Sequence, residues 1–95
     1  MRKSVEKPHR TSVLDGVPQR MPALALADKL IGRARKVGIE PGASEAPATE
    51  EELGEQLLAT VVAARAAGLD SERALRGALR RLQGDIRTAE AGQRP

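Results

Sequence analysis

No phenylalanine, tyrosine or tryptophan occurs among the 95 residues of this chain, so the side chains that usually dominate core energetics are absent. Leucine, valine, isoleucine and alanine must supply all the burial, which favours closely packed helices over a sheet. Cysteine is absent as well. That excludes a disulfide framework and thiolate metal sites, and it suits a reducing compartment, so the cytoplasm is the expected location. No apolar run approaches the roughly 20 residues needed to span a bilayer, and the basic start MRKSVEKPHR does not lead into a signal-peptide core. Charge of one sign is also scarce. Sixteen Lys and Arg against 13 Asp and Glu leave a net charge of only +3, too near balance to imply a polyanionic partner.

What is present reads as a polar lead-in over residues 1–21, a helical domain over 22–90 and a disordered tail over 91–95. The lead-in mixes charges with turn formers, including Asp15-Gly16 and Pro18. From Pro22 onward Leu24, Ala27, Leu30 or Ile31, Ala34 and Val37 recur at helical steps, and Gly38 stands where a helix would end. Arg33, Arg35 and Lys36 suit the negative end of that helix as solvated charges. Residues 38–48, GIEPGASEAPA, hold two prolines and two glycines and read as a loop. A second helix is expected from about Glu50 to Ala67, stopping at Gly68. Asp70 or Ser71 can cap a third, which would bury Leu75, Ala78 or Leu79, Leu82, Ile86 and Ala89. The short connection at Gly68 predicts a tight antiparallel hairpin with Leu57 and Leu82 in the core. The expected fold is therefore all-α, an antiparallel bundle of three main helices. Its aromatic-free core is thin, so completion by dimerisation or by a partner domain is expected.

The stretch TEEELGEQLLATVVAARAAG, residues 49–68, carries the most chemistry. Glu51, Glu52 and Glu55 lie three and four residues apart and can project from one side of a helix, while Leu53, Leu57, Val61 and Ala64 cover the other. An oxygen-rich cluster of this kind suits Mg²⁺. Acidic residues in a first turn are equally what the helix dipole favours, and Thr49 with Glu52 three later forms a capping box that needs no metal. On the residues alone the capping reading leads.

The segment EELGEQLLATVVAARAAGLDSERALRGALRR resembles the last two helices of MazG-type nucleoside triphosphate pyrophosphohydrolases, where an E-E-L-G-D start precedes an apolar helix, a glycine and an E-A-L-R-like helix. Upstream, LDGVP, PAL, the KL pair and RKVGIE are similar to the linker and first helix of the C-terminal MazG domain, in the same order. The resemblance implies a Mg²⁺-dependent all-α hydrolase, usually dimeric, that cleaves nucleoside triphosphates to monophosphate and pyrophosphate. It implies metal held by an E-E-x-x-E motif on one helix and E-x-x-D on the next. Glu52 and Glu55 fall on the second motif, with Glu55 replacing an aspartate, and Glu51 flanks them. The first motif should lie between Glu40 and Glu50, where the chain is too short and too rich in Pro and Gly for a helix. In the family's N-x-K-F stretch Leu79 stands for the Asn and Arg81 for the Lys, and Gly84 and Asp85 replace a basic pair. Arg81 alone keeps phosphate-binding chemistry.

These departures predict a degenerate or truncated C-terminal MazG domain, the tail of a longer enzyme or a stand-alone remnant, with Glu51, Glu52 and Glu55 as remnant metal ligands and no catalytic residue assigned. Packing and dimerisation, with itself or a MazG-like partner, would be the retained role. One alternative is an active Mg²⁺-dependent pyrophosphohydrolase whose site a partner chain completes. Another is an Arg-rich binder of nucleic acid or protein using Arg73, Arg76, Arg80 and Arg87, disfavoured by the lack of stacking aromatics and by the interrupting Glu72 and Asp85. His9, the one histidine, has no catalytic partner at useful spacing. Ser12, Ser44 and Ser71 have no triad partners, and Asp28 and Lys29 read as surface groups.

Overall fold

A computed structural model describes residues 12–93. His9, with the rest of the polar arm, and the final Arg94-Pro95 of the expected tail lie outside the described residues. Three helices follow in order, α1 (Ala23–Arg35), α2 (Glu50–Ala66) and α3 (Ser71–Gln93), and no strand occurs among the described residues. None of these helices is long and apolar enough to cross a membrane.

Helix ends follow local chemistry closely. Gly38 and Gly68 both adopt positive φ, 79° and 76°, which only glycine tolerates readily. Around each, two backbone N–H groups fold back onto the last free carbonyls: Gly38 onto Arg35 at 3.1 Å and Ile39 onto Ala34 at 3.0 Å, then Gly68 onto Arg65 at 3.1 Å and Leu69 onto Ala64 at 2.8 Å. At the start of α2 the Thr49 hydroxyl accepts from the Glu52 N–H at 3.1 Å. Asp70, not Ser71, caps α3 by accepting from the Arg73 N–H at 2.9 Å. Residues 39–47 take no regular structure, as their prolines and glycines require.

The core lies between α1 and α3. Leu26, Leu30, Ala34 and Val37 pack against Leu79 and Ile86, and Leu30 and Ile86 are fully buried. Start meets start and end meets end: the Ala23 N–H donates to Glu72, while the Gln93 amide donates to the Val37 carbonyl at 3.0 Å. The two helices therefore run parallel. That last bond holds α3 helical through Gln93, beyond the fading expected at Ala91-Gly92. The stripe expected for α1 holds at Leu30, Ala34 and Val37, with Ala27 half-buried. At its start, however, Ala23 and Leu26 are buried while Leu24 is exposed, and of the pair Leu30 or Ile31 it is Ile31 that faces out.

The lead-in is more than a linker. Residues 12–21 run as a strap antiparallel to α3 and put Leu14 and Val17 into the core. Polar side chains fasten it along its length. Glu90 accepts from the Ser12 hydroxyl at 2.9 Å and the Val13 N–H at 2.7 Å. Gln19 and buried Gln83 exchange amide hydrogen bonds at 3.0 and 3.2 Å. Arg76 reaches the Gln19 and Met21 carbonyls at 3.2 and 2.5 Å while paired with Glu72 at 3.0 Å. From α1, Arg33 donates to the Val13 and Asp15 carbonyls at 2.6 and 3.2 Å.

Helix α2 stands apart. It has no buried residue, packs sparsely on α3 and makes no close backbone approach to α1. The longest dimension is 56 Å and the radius of gyration 17.0 Å; a compact domain of this length would have a radius of roughly 12 Å. The chain does reverse at Gly68, but α2 splays away instead of closing a tight hairpin on α3. Leu57 is consequently 41% exposed and outside the core, and Leu82 is only partly buried against it. The strap, with Leu14 and Val17 in the core, occupies surface of α1 and α3 that a third helix could otherwise cover.

Candidate functional site

The acidic start of α2 is the site singled out by sequence, and its local geometry decides what it can do. Thr49 fixes the first turn, and Glu52 bends back so that its carboxylate accepts from the Ala48 N–H at 2.9 Å. This is the reciprocal capping arrangement, shifted by one residue so that the partner is the N–H before the cap. Glu52 is thus committed to the helix end. Glu51 and Glu55 are exposed on the same helix. A shallow concavity beside them is lined by Glu52, Glu55, Gln56 and Ala59, all from α2. No second element among the described residues lines it. Among the described residues no three His, Cys, Asp or Glu side chains gather so as to hold a metal ion. Mg²⁺ takes near-octahedral oxygen donors; here Glu52 and Glu55 border one concavity, and Glu52 already accepts from a backbone N–H.

Other residues marked in the sequence fall in separate places. Arg81 is exposed on α3. Leu79, where the resemblance would have an Asn, is 4% exposed and packed in the core, so that position faces α1 and not a ligand. Arg76 is occupied with the strap, which removes it from the proposed basic face; Arg73, Arg80 and Arg87 remain exposed, and Arg80 and Arg87 border a shallow depression with Gln19 and Gln83. Arg33 is half-buried and holds the strap, whereas Arg35 and Lys36 are the solvated charges expected. Asp28 and Lys29 are exposed, as is Ser44. Ser12 donates to Glu90 and accepts from the Leu14 N–H at 3.0 Å.

An apolar cleft of about 330 Å³ opens on the other side of α2, where Leu57 and Val61 face Leu24 of α1 and Leu75 of α3. It marks the gap left by the splayed helix. Sequence reasoning missed the strap fasteners Glu90, Gln83 and Arg33. Gln83 could have been flagged, because it sits four residues after Leu79 on an otherwise apolar stripe. Glu90 and Arg33 carried no signal, since their partners lie 77 and 20 positions away.

Comparison with known proteins gives one informative similarity. An uncharacterized 26.1 kDa protein from the blaB 3′ region of Streptomyces cacaoi is 47% identical over 89 residues, covering 94% of this chain and 36% of the relative. The chain thus spans about a third of that protein's length. No family model matches the sequence, and no solved structure matches it.

Proposed function

We propose that the chain is a MazG-like domain of the nucleoside triphosphate pyrophosphohydrolase family that has lost a self-sufficient metal centre and serves as a packing and self-association module. The observation that carries the loss is the use of Glu52 as a helix cap, together with the non-helical segment at residues 39–47 that precedes it, where the family's first acidic helix would stand. Without facing carboxylates, a triphosphate–Mg²⁺ complex lacks the fixed ligands that position water and leaving group. Arg81 adds one exposed positive charge, which can attract a phosphate but cannot orient one. The uncovered aliphatic side chains of α2 support the self-association half of the reading.

Pyrophosphate release from nucleoside triphosphates with Mg²⁺ tests the proposal. The purified chain is expected to show no appreciable turnover, and Glu55→Gln to change nothing. Robust release abolished by Glu52→Gln or Glu55→Gln would overturn it and establish a site completed by a second chain.

A further inference from the structure

The outward face of α2 is built as a palindrome of chemistry around Leu58. Gly54 and Val62 lie four residues to either side and Glu51 and Arg65 seven, all on the face of Leu58. Leu58 and Val62 are 64% and 59% exposed, one turn apart on the same face. Glu51 and Arg65 make no side-chain hydrogen bond or ion pair among the described residues. Gly54 is unfavourable inside a helix, and within one chain nothing lies within 4 Å of the position its Cβ would take. The single chain therefore gives no packing reason for it.

We infer that α2 pairs antiparallel with α2 of a second copy, with the two-fold axis at Leu58. The inference rests on the self-association half of the function proposed above and gives it a surface and a register. A two-fold interface sets residue i against j and j against i. With the axis at Leu58, the two leucines meet each other, each Val62 lies over the partner's Gly54, and each Glu51 faces the partner's Arg65. The missing Cβ then permits close approach, and the two unpaired charges find each other. A parallel pair would instead stack the acidic turns Glu50, Glu51 and Glu52 of both copies, which repel. Charge complementarity thus selects both the occupant and its direction.

The full chain has no cysteine, so a single Leu58→Cys substitution reports the axis directly. Mild oxidation should convert this variant to a disulfide-linked dimer. Glu51→Cys should not crosslink to itself, because antiparallel pairing about Leu58 holds the two positions roughly 21 Å apart. In sedimentation equilibrium, Glu51→Arg and Arg65→Glu should each weaken association on the order of tenfold, because two symmetry-related attractions become repulsions. The double reversal should restore it. Leu58 and the charges are exposed, so none of these variants disturbs the α1–α3 core. Helical circular dichroism on each reversal separates lost association from fraying of α2, whose dipole both reversals oppose. A dimer that ignores the reversals and leaves the cysteine at 58 uncrosslinked overturns this register while leaving self-association standing. Crosslinking at both 51 and 58 overturns the antiparallel direction. A monomer at every concentration, including one that binds some other protein instead, overturns both the inference and the self-association it rests on.

Discussion

Glu90 fastens the strap to α3, and its removal has a calculable cost. Its half-buried carboxylate accepts two hydrogen bonds, 2.9 Å from the Ser12 hydroxyl and 2.7 Å from the Val13 N–H. A bond to a charged group contributes about 1.5–3 kcal/mol, and partial exposure moves each toward the lower figure. With two such bonds, each near the lower figure, Glu90→Ala should therefore cost about 3 kcal/mol in total. Detachment of the strap would add the exposure of Leu14 and Val17, at about 1.5–3 kcal/mol for each side chain fully released. Arg33, Arg76 and Gln83 still hold other points of the strap, so the smaller loss is expected. Urea unfolding at fixed protein concentration measures it, and in a separate thermal unfolding experiment the midpoint should fall by about 4–8 °C per kcal/mol. Glu90→Gln, which keeps an acceptor oxygen, should recover part of the loss. Amide exchange at Val13 should accelerate in the alanine variant before global unfolding does. An unchanged midpoint together with unchanged protection at Val13 would refute the fastening role.

Two further outcomes separate the core from the splayed helix. Leu30→Ala, at a fully buried position, should cost about 2–5 kcal/mol, whereas Leu57→Ala, at a position 41% exposed, should cost well under half as much in urea; equal losses would place α2 in the core after all. Thr49→Ala should lower stability of α2 by about 1 kcal/mol and reduce helical circular dichroism, because a 17-residue helix with no buried residue depends on its cap. Added Mg²⁺ should not restore that signal, and restoration would point to a cation at Glu51, Glu52 and Glu55.

Some elements were legible because their causes are local. Gly38 and Gly68 end helices through their own φ angles, Thr49 and Asp70 begin them through side-chain oxygens three residues from the N–H they cap, and prolines keep residues 39–47 irregular. The acidic turn could be read as cap or metal site, and the bond from the Ala48 N–H to Glu52 assigns one of its three carboxylates to the cap. The expected burial of Leu57 failed for a physical reason: periodicity marks an apolar face without saying what lies against it.

Helix number, the helix ends at Gly38 and Gly68, the all-α class and the thinness of an aromatic-free core were thus determined by the sequence alone, since each depends on propensity, capping or composition within a few residues. Only the tertiary structure decided that α1 and α3 run parallel around the core, that residues 12–21 are a strap fastened by Glu90, Gln83, Arg76 and Arg33, and that α2 is left outside. Those outcomes depend on contacts between residues tens of positions apart. In the folded chain the strap and α1 cover the surface of α3, and α2 touches it only sparsely.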